Sequence, residues 1–202
     1  MLAAAGPALA AAPLNLIFTT HAMFFSSETR QATPLDPQVF VRDAAAPAAA
    51  GPQGIRHVAG FRPAPMSDPP ATPVFTAQGK PLGFSLGAWL GATGTATITP
   101  LASGKARVTA RFKGLRRHGR YSLFENHFDQ QPVGFTPLDG RGTKNSFVAD
   151  ANGAATITVI APQALTDANA VLLVYHSDHA THGLSRGDPG VTAHHQLIAK
   201  VP

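Results

Sequence analysis

Residues 105–113 read KARVTARFK, and this stretch is the clearest indication of the fold class. Its odd positions carry Lys, Arg or Thr, whereas its even positions carry Ala106, Val108, Ala110 and Phe112. Because successive side chains of a strand point to opposite faces of a sheet, this separation predicts a strand with one buried and one solvated face. Half-buried strands of this kind are typical of antiparallel sheets.

Short apolar or alternating runs continue on both sides of this strand, with turn residues between them. The further predicted strands cover residues 84–90, 94–99, 121–128, 145–149, 154–160, 170–176 and 194–201. Asn152 and Gly153 tolerate the positive φ of tight turns, so they predict a hairpin between two of these strands. About seven or eight strands at this spacing predict an all-β chain folded as an antiparallel β-sandwich.

The composition supports strands and turns and excludes several kinds of site. Charged residues make up 13% of the 202 residues, and 19 Gly and 18 Pro are present. That balance disfavours long solvated helices. The chain has no Cys, which excludes a disulfide, a thiol nucleophile and a cysteine zinc site. The net charge of +5 attracts anionic partners.

The first third of the chain differs from the remainder. Residues 14–73 are rich in Pro and Ala without a steady period, which predicts an irregular extension and linker without functional residues. The sandwich domain is predicted over residues 74–202. Residues 1–13 read MLAAAGPALAAAP, and their A-x-A spacings indicate a signal-peptide remnant and hence a secreted or periplasmic protein. No run reaches the roughly 18 apolar residues of a transmembrane segment.

Histidines concentrate near the C-terminus, where five of the nine occur within residues 176–195. His176 ends an apolar strand, and the glycine-bearing loop after it can bend back toward that strand. Imidazoles in such a place suit copper, zinc or nickel, with a carboxylate as a further ligand or as an orienting group. His195 is preferred to its neighbour because it is predicted on the face of Leu197. The candidate metal ligands are His176, His179, His182, His195 and Asp178. The alternative is that these histidines are structural and hydrogen-bonded to carbonyls or water.

Three features of the sequence allow a comparison with a known family: the order of the strands, the ADANG turn at residues 149–153, and the run Val174-Tyr175-His176-Ser177-Asp178 before a glycine-rich loop. In these features the chain resembles the copper/zinc superoxide dismutase sandwich and its relatives, including chordin-type domains. The resemblance covers roughly residues 94–198. It implies an immunoglobulin-like or superoxide-dismutase-like sandwich that binds copper or zinc. In that family a strand ending in Val-His supplies a copper ligand, and His176 is the matching position.

The chain departs from that family at other ligand positions. The stretch that holds the family's other copper pair falls on residues 119–126, where Phe124 and Asn126 occupy the pair positions. His127 lies one residue beyond and is a substitute candidate. Residues 129–143, in place of the zinc loop, contain no histidine, and the family's cysteines and C-terminal arginine are absent. The resemblance therefore predicts a metal-binding fold and leaves open whether the chain is an enzyme.

A basic stripe offers a second function. Residues two apart on a strand share one face, so the basic side chains of the first strand lie together. These candidate anion-binding residues are Lys105, Arg107, Arg111 and Lys113. They predict a non-enzymatic binding or structural module that meets an anionic partner. Aromatic residues that would stack bases do not interleave with them, which argues against nucleic acid.

Overall fold

The structure is a computed structural model that describes residues 12–102 and 104–202. Within these residues the chain forms sixteen strands and two helices. The first half contains β1 (Leu14–Ile17), β2 (Thr19–Thr20), α1 (His21–Glu28), β3 (Leu35–Arg42), β4 (Ala49–Ala50), β5 (Arg56–His57), β6 (Phe61–Pro65), β7 (Pro73–Phe75), β8 (Pro81–Ser85) and α2 (Leu86–Leu90). The second half contains β9 (Thr93–Pro100), β10 (Ala106–Lys113), β11 (Arg120–His127), β12 (Gly134–Pro137), β13 (Ser146–Val148), β14 (Ala155–Ala161), β15 (Asn169–His176) and β16 (Ala193–Lys200).

Two antiparallel sheets form the sandwich, as predicted. The first sheet has the order β1-β9-β10-β14, and the second has the order β12-β11-β15-β16-β2, with β13 also paired to β11. In β10 the even residues are buried and the basic residues are exposed, which confirms the alternating pattern. Those buried side chains join Leu123, Leu173 and Leu197 of the second sheet in one core between the sheets.

The second sheet is covered on its outer face as well. Phe124, Leu172, Val174 and Ile198 form a separate apolar cluster there, and the partly buried Phe24 of α1 packs against it. As a result, every residue of β15 is buried. A strand buried on both faces reads as a continuous apolar run, which is the pattern of residues 170–175.

Residues 14–73 are not an irregular extension, and this prediction is wrong. β1 pairs along β9 at the edge of the first sheet, and β2 pairs with β16 at the edge of the second. β3, β6, β7 and β8 form a third sheet in the order β6-β3-β7-β8. Pro37 lies where the β3–β6 register shifts, so its missing N–H removes no regular ladder bond. The Pro- and Ala-rich composition gave a wrong prediction because residues 14–73 acquire their regular structure by pairing, in part with strands much later in the chain.

A buried carboxylate joins this segment to the core. Asp36 is 1% exposed and accepts hydrogen bonds from Gln38 N, Val39 N and the indole Nε1 of Trp89, the last at 2.8 Å. Burial raises the pKa of Asp36 to about 6, against the lowering effect of these three donors. The hydrogen bond from Trp89 Nε1 to Asp36 Oδ2 thus connects α2 to β3.

Two local predictions also need correction. Residues 86–90 form α2 instead of a strand, because Ser85 caps the helix by accepting a hydrogen bond from Ala88 N. The turn at Asn152-Gly153 is present, with Gly153 at φ 72°, but it does not close a hairpin. β13 pairs with β11 and β14 with β10, so this turn carries the chain from one sheet to the other.

The predicted signal-peptide remnant, residues 1–13, falls on residues outside the described ranges except for its last two positions. Among the residues that the structure describes, no helix has both the length and the apolar character needed to cross a bilayer.

Candidate metal centre

The rigid part of the candidate site is the end of β15. His176 is its last residue, is 0% exposed, and pairs with Arg120 of β11 and Ala193 of β16. Its side chain lies on the outer face of the second sheet, where Ser122 of β11 is its neighbour. A central strand fixes the direction in which this imidazole points.

The loop after β15 brings two further ligand atoms to His176. The imidazole rings of His176 and His182 lie 5.2 Å apart between centroids, and His182 Nε2 lies 3.1 Å from Asp178 Oδ2. One ligand atom from each of these three residues lies within 4.8 Å of the others, which is close enough for all three to hold one metal ion. His182 and Asp178 are partly exposed, with side-chain exposures of 24% and 29%. We call these three residues the carboxylate–histidine group.

The hydrogen bonds around His176 leave one ring nitrogen free. His176 Nε2 lies 2.8 Å from Ser122 Oγ, which lies 2.7 Å from Ser146 Oγ, and Ser146 Oγ donates to Asn145 Oδ1 at 3.5 Å. The amide oxygen at the end of this chain only accepts, so the protons run toward it and His176 donates from Nε2. Nδ1 then carries the lone pair, and this buried atom has no hydrogen-bond partner in residues 12–102 and 104–202. An imidazole held through one nitrogen is poised to bind a metal through the other.

Electrostatics keep this ring neutral. Burial and, to a smaller extent, the neighbouring His182 lower the pKa of His176 to about 4, while Asp178 acts in the opposite direction. A metal ligand must be deprotonated, so a ring that is already neutral at pH 7 loses no affinity to protons. His182 Nε2 likewise has no hydrogen bond with a described residue, although it lies 3.1 Å from Asp178 Oδ2.

Two predicted ligands lie outside the carboxylate–histidine group. His179 is exposed and has φ 60°, and its N–H donates to His176 O at 3.2 Å, so the turn directs its side chain away. His195 belongs to another cluster. The expectation that it shares a face with Leu197 is wrong, because the β15–β16 register shifts so that Leu197 pairs with Leu173 and His195 with Val174. The extra residue, Gln196, reverses the alternation.

His195 lies in an arginine–histidine group with His21 and Arg186. Arg186 Nη1 lies 3.0 Å from His195 Nε2, and His195 Nδ1 lies 3.4 Å from His21 Nε2. Arginine only donates, so the lone pair of His195 Nε2 is already engaged and the ring proton is on Nδ1. His195 is therefore unsuited to hold a metal in this arrangement.

His21 was not predicted, because residues 14–73 gave no functional pattern. It is the first residue of α1, which begins at the N-cap Thr20, and it is 5% exposed. Burial, and then the charge of Arg186, lower its pKa to about 3. The same burial lowers the pKa of His195, with further contributions from His21 and Arg186. Both rings are neutral at pH 7.

The substitute ligand His127 is at the wrong end of the sheet. It pairs with Asn169, the first residue of β15, whereas His176 is the last. The two positions are seven residue steps apart along β15, which corresponds to roughly 23 Å. His127 Nε2 instead contacts Thr136 Oγ1 at 2.8 Å, and Phe124 is buried in the outer apolar cluster. These residues supply no ligand to the carboxylate–histidine group.

The predicted basic stripe lies on the outer face of the first sheet. Its four members are exposed, and none of them forms an ion pair with a described residue. Arg111 and Lys113 line an open groove of about 630 Å³, together with Thr93, Thr95 and Asp150. The face is thus solvated and available to an anionic partner.

No protein-family model matches the chain, and a search of curated proteins finds no match.

Proposed function

We propose that this chain is a superoxide-dismutase-like β-sandwich that binds a transition metal, copper or zinc, through His176, His182 and Asp178. The observation that carries the proposal is that one ligand atom from each of these three residues lies within 4.8 Å of the others, while His176 Nδ1 is buried without a hydrogen-bond partner among the described residues. A buried polar atom without a partner is rare in folded proteins, so it calls for an explanation. A metal ion supplies the missing partner.

The donor set supports this choice of metals. Two imidazoles and one carboxylate suit copper and zinc better than magnesium or calcium, which prefer oxygen ligands. Three protein ligands leave a further coordination position, which is the arrangement of zinc sites that keep a bound water. In the family that the sequence resembles, His176 is the matching copper ligand, whereas the pair positions hold Phe124 and Asn126. The proposal is therefore metal binding in an exported protein and does not extend to dismutation.

Calorimetry on the chelator-stripped protein tests the proposal. We expect Cu²⁺ and Zn²⁺ to bind with a stoichiometry of one, and His182→Ala and Asp178→Asn to weaken the binding at least tenfold, since each removes one of three ligands. His179→Asn is the matched control, because His179 lies in the same turn but outside the group and Asn tolerates its positive φ. Equal affinity in His182→Ala and His179→Asn would contradict the proposal.

The exposed basic stripe supports a second candidate, a module that binds a polyanion. Lys105, Arg107, Arg111 and Lys113 have no acidic partner among the described residues, and the charge attracts anions over about a Debye length. A heparin column tests this candidate. We expect Arg107→Ala combined with Arg111→Ala to elute at lower salt than the parent protein, whereas Arg30→Ala, which removes an exposed charge from another face, is the control.

A further inference from the structure

The arginine–histidine group opens onto a pocket that the proposed metal centre does not use. Arg186 lines this pocket of about 520 Å³ with Phe135, Gln38, Ile55, Val133 and Pro189. The residues come from β3, from the loops after β4 and β11, from β12 and from the loop before β16. Pockets of about 300–1,000 Å³ with mainly apolar walls and a few polar groups are typical of small-ligand sites.

Arg186 is a partly buried cation without a counter-ion among the described residues. Arg62, which is also partly buried, contacts Asp43 at 3.1 Å and Asp68 at 3.0 Å. Among the side chains that the structure describes, Arg186 forms a hydrogen bond only with His195, a neutral ring. Burial lowers the pKa of Arg186 to about 10, so its charge persists at neutral pH. A desolvated and unpaired charge favours binding of an anion.

The guanidinium is held in place before any ligand arrives. Its Cζ lies 3.4 Å from the centroid of the Phe135 ring, and its Nη1 is fixed on His195 Nε2. His195 is fixed in turn, because its backbone N–H donates to Gln38 Oε1 at 2.9 Å and its Nδ1 contacts His21. The remaining N–H groups of Arg186 make no hydrogen bond with described residues. A guanidinium held on one side presents a fork that matches a carboxylate.

We propose that Arg186 binds the carboxylate of a small organic acid in this pocket, with the apolar part of the acid against Ile55, Val133 and Pro189. The apolar wall distinguishes such an acid from inorganic phosphate, which has no apolar part to bury. His195 holds the guanidinium through its Nε2, and His21 contacts His195 in turn.

The experiment titrates benzoate into the metal-free full chain, with chelator present, and follows the amide and side-chain NMR shifts of residues in the pocket. Because no metal is present, failure here is separate from failure of the metal proposal. We expect saturable shifts at Val133 and Ile55, at least a tenfold loss of affinity in Arg186→Met, and a smaller loss in Arg186→Lys, which keeps the charge but not the fork. Arg117→Met is the matched control, because Arg117 is exposed and lies outside this pocket.

A second variant keeps the test informative if Arg186→Met fails to fold. Val133→Trp fills the pocket without changing the charge, and we expect it to abolish benzoate binding. Unchanged benzoate affinity in Arg186→Lys and Val133→Trp overturns the proposal. Tighter binding of phosphate than of benzoate overturns the assignment to an organic carboxylate, and the absence of saturable shifts with benzoate overturns the pocket itself.

Discussion

The outer face of the second sheet carries two histidine groups that differ in what occupies their ring nitrogens. In the carboxylate–histidine group, His176 donates through Nε2 to Ser122, and the lone pair of its buried Nδ1 is not engaged by any described residue. In the arginine–histidine group, the lone pair of His195 accepts from Arg186, which forms no ion pair with a carboxylate in the described part of the chain. Both groups contain buried neutral imidazoles. The hydrogen-bond partners of an imidazole, more than its burial, therefore determine whether it can bind a metal.

The largest expected effect is a loss of stability in acid, to which the buried rings of the arginine–histidine group contribute more than His176, whose pKa is lowered less. The pKa of His21 falls from 6.5 to about 3 on folding, and that of His195 also falls, so the unfolded chain binds more protons below pH 6.5. The stability from these rings is complete above pH 6.5 and decreases as the pH falls toward 3. Between pH 6.5 and pH 4 the protonation of His21 in the unfolded chain removes about 3 kcal/mol from the free energy of unfolding, and that of His195 adds to this loss.

Urea unfolding at several pH values measures this loss. His21→Gln keeps a hydrogen-bond acceptor near His195 Nδ1 but does not titrate, so we expect it to reduce the acid loss by about 3 kcal/mol. An equally steep pH dependence in this variant would show that other groups, such as the carboxylates, control acid unfolding. The two groups would then not differ in the way described.

The next effect is stabilisation by metal at the carboxylate–histidine group. A metal at a hundredfold excess over its dissociation constant adds about 2.7 kcal/mol to the free energy of unfolding. For a chain of this length we expect the Tm to rise by roughly 5–10 °C in scanning calorimetry with Zn²⁺. Mg²⁺ is the control ion, because it prefers oxygen ligands. An equal rise in His182→Ala would place the bound Zn²⁺ elsewhere.

Removing the orienting hydrogen bond is expected to weaken metal binding without removing a ligand. Ser122→Ala takes away the acceptor of His176 Nε2–H, so the ring loses its fixed tautomer and orientation. Partners of this kind typically contribute about 10–100-fold to metal affinity. Ser146→Ala, one step further along the chain of hydroxyls, is expected to have a smaller effect. Calorimetric affinities of the two variants in reverse order would refute the assigned direction of the protons.

A glycine behind His182 gives a smaller effect. A Cβ at Gly187 would lie 3.2 Å from His182 Nε2, and Gly187 has φ +83°. Gly187→Ala therefore displaces the ring, and we expect metal affinity to fall by several-fold in a Zn²⁺ titration. Gly183→Ala is the matched control, since Gly183 lies in the same loop with φ +60° and has nothing within 4 Å of its Cβ position. Similar losses in both variants would indicate backbone strain and not the contact with the ring.

The smallest expected effect is that of His21→Gln on metal affinity. This variant changes the arginine–histidine group alone, and residues without shared partners usually act independently. We expect Zn²⁺ affinity within about twofold of the parent protein in the same calorimetric titration. A larger change would mean that the loop carrying both His182 and Arg186 couples the two groups.

Much of the sandwich was predictable from local patterns. The alternation in residues 105–113 defined β10, and the apolar run before His176 defined a buried strand with a histidine at its end. The N-terminal third was not predictable in this way. Its strands pair with β9 and β16, far along the chain, and such pairings leave no local periodicity.

The candidate site was predictable only in part, for reasons of geometry. The crowding of histidines after β15 pointed to His176 and His182, and Asp178 followed from its place between them. No residue pattern in the sequence indicates the bulge at Gln196. The sheet face on which His195 lies could therefore not be predicted from its spacing to Leu197. His21 contacts a residue 174 positions later in the chain, and only tertiary folding brings the two together.

The run from Leu14 to Thr20 has a mechanical consequence. β1 and β2 are separated by Phe18 alone, yet they cover the open edges of β9 and β16 in opposite layers. Seven consecutive residues thus connect the two sheets and pair with an edge strand of each, so these edges are protected from pairing with other molecules. Proteolytic removal of this segment would expose the unpaired backbone N–H and C=O groups of both edge strands at once. Self-association of the cleaved protein into oligomers would follow.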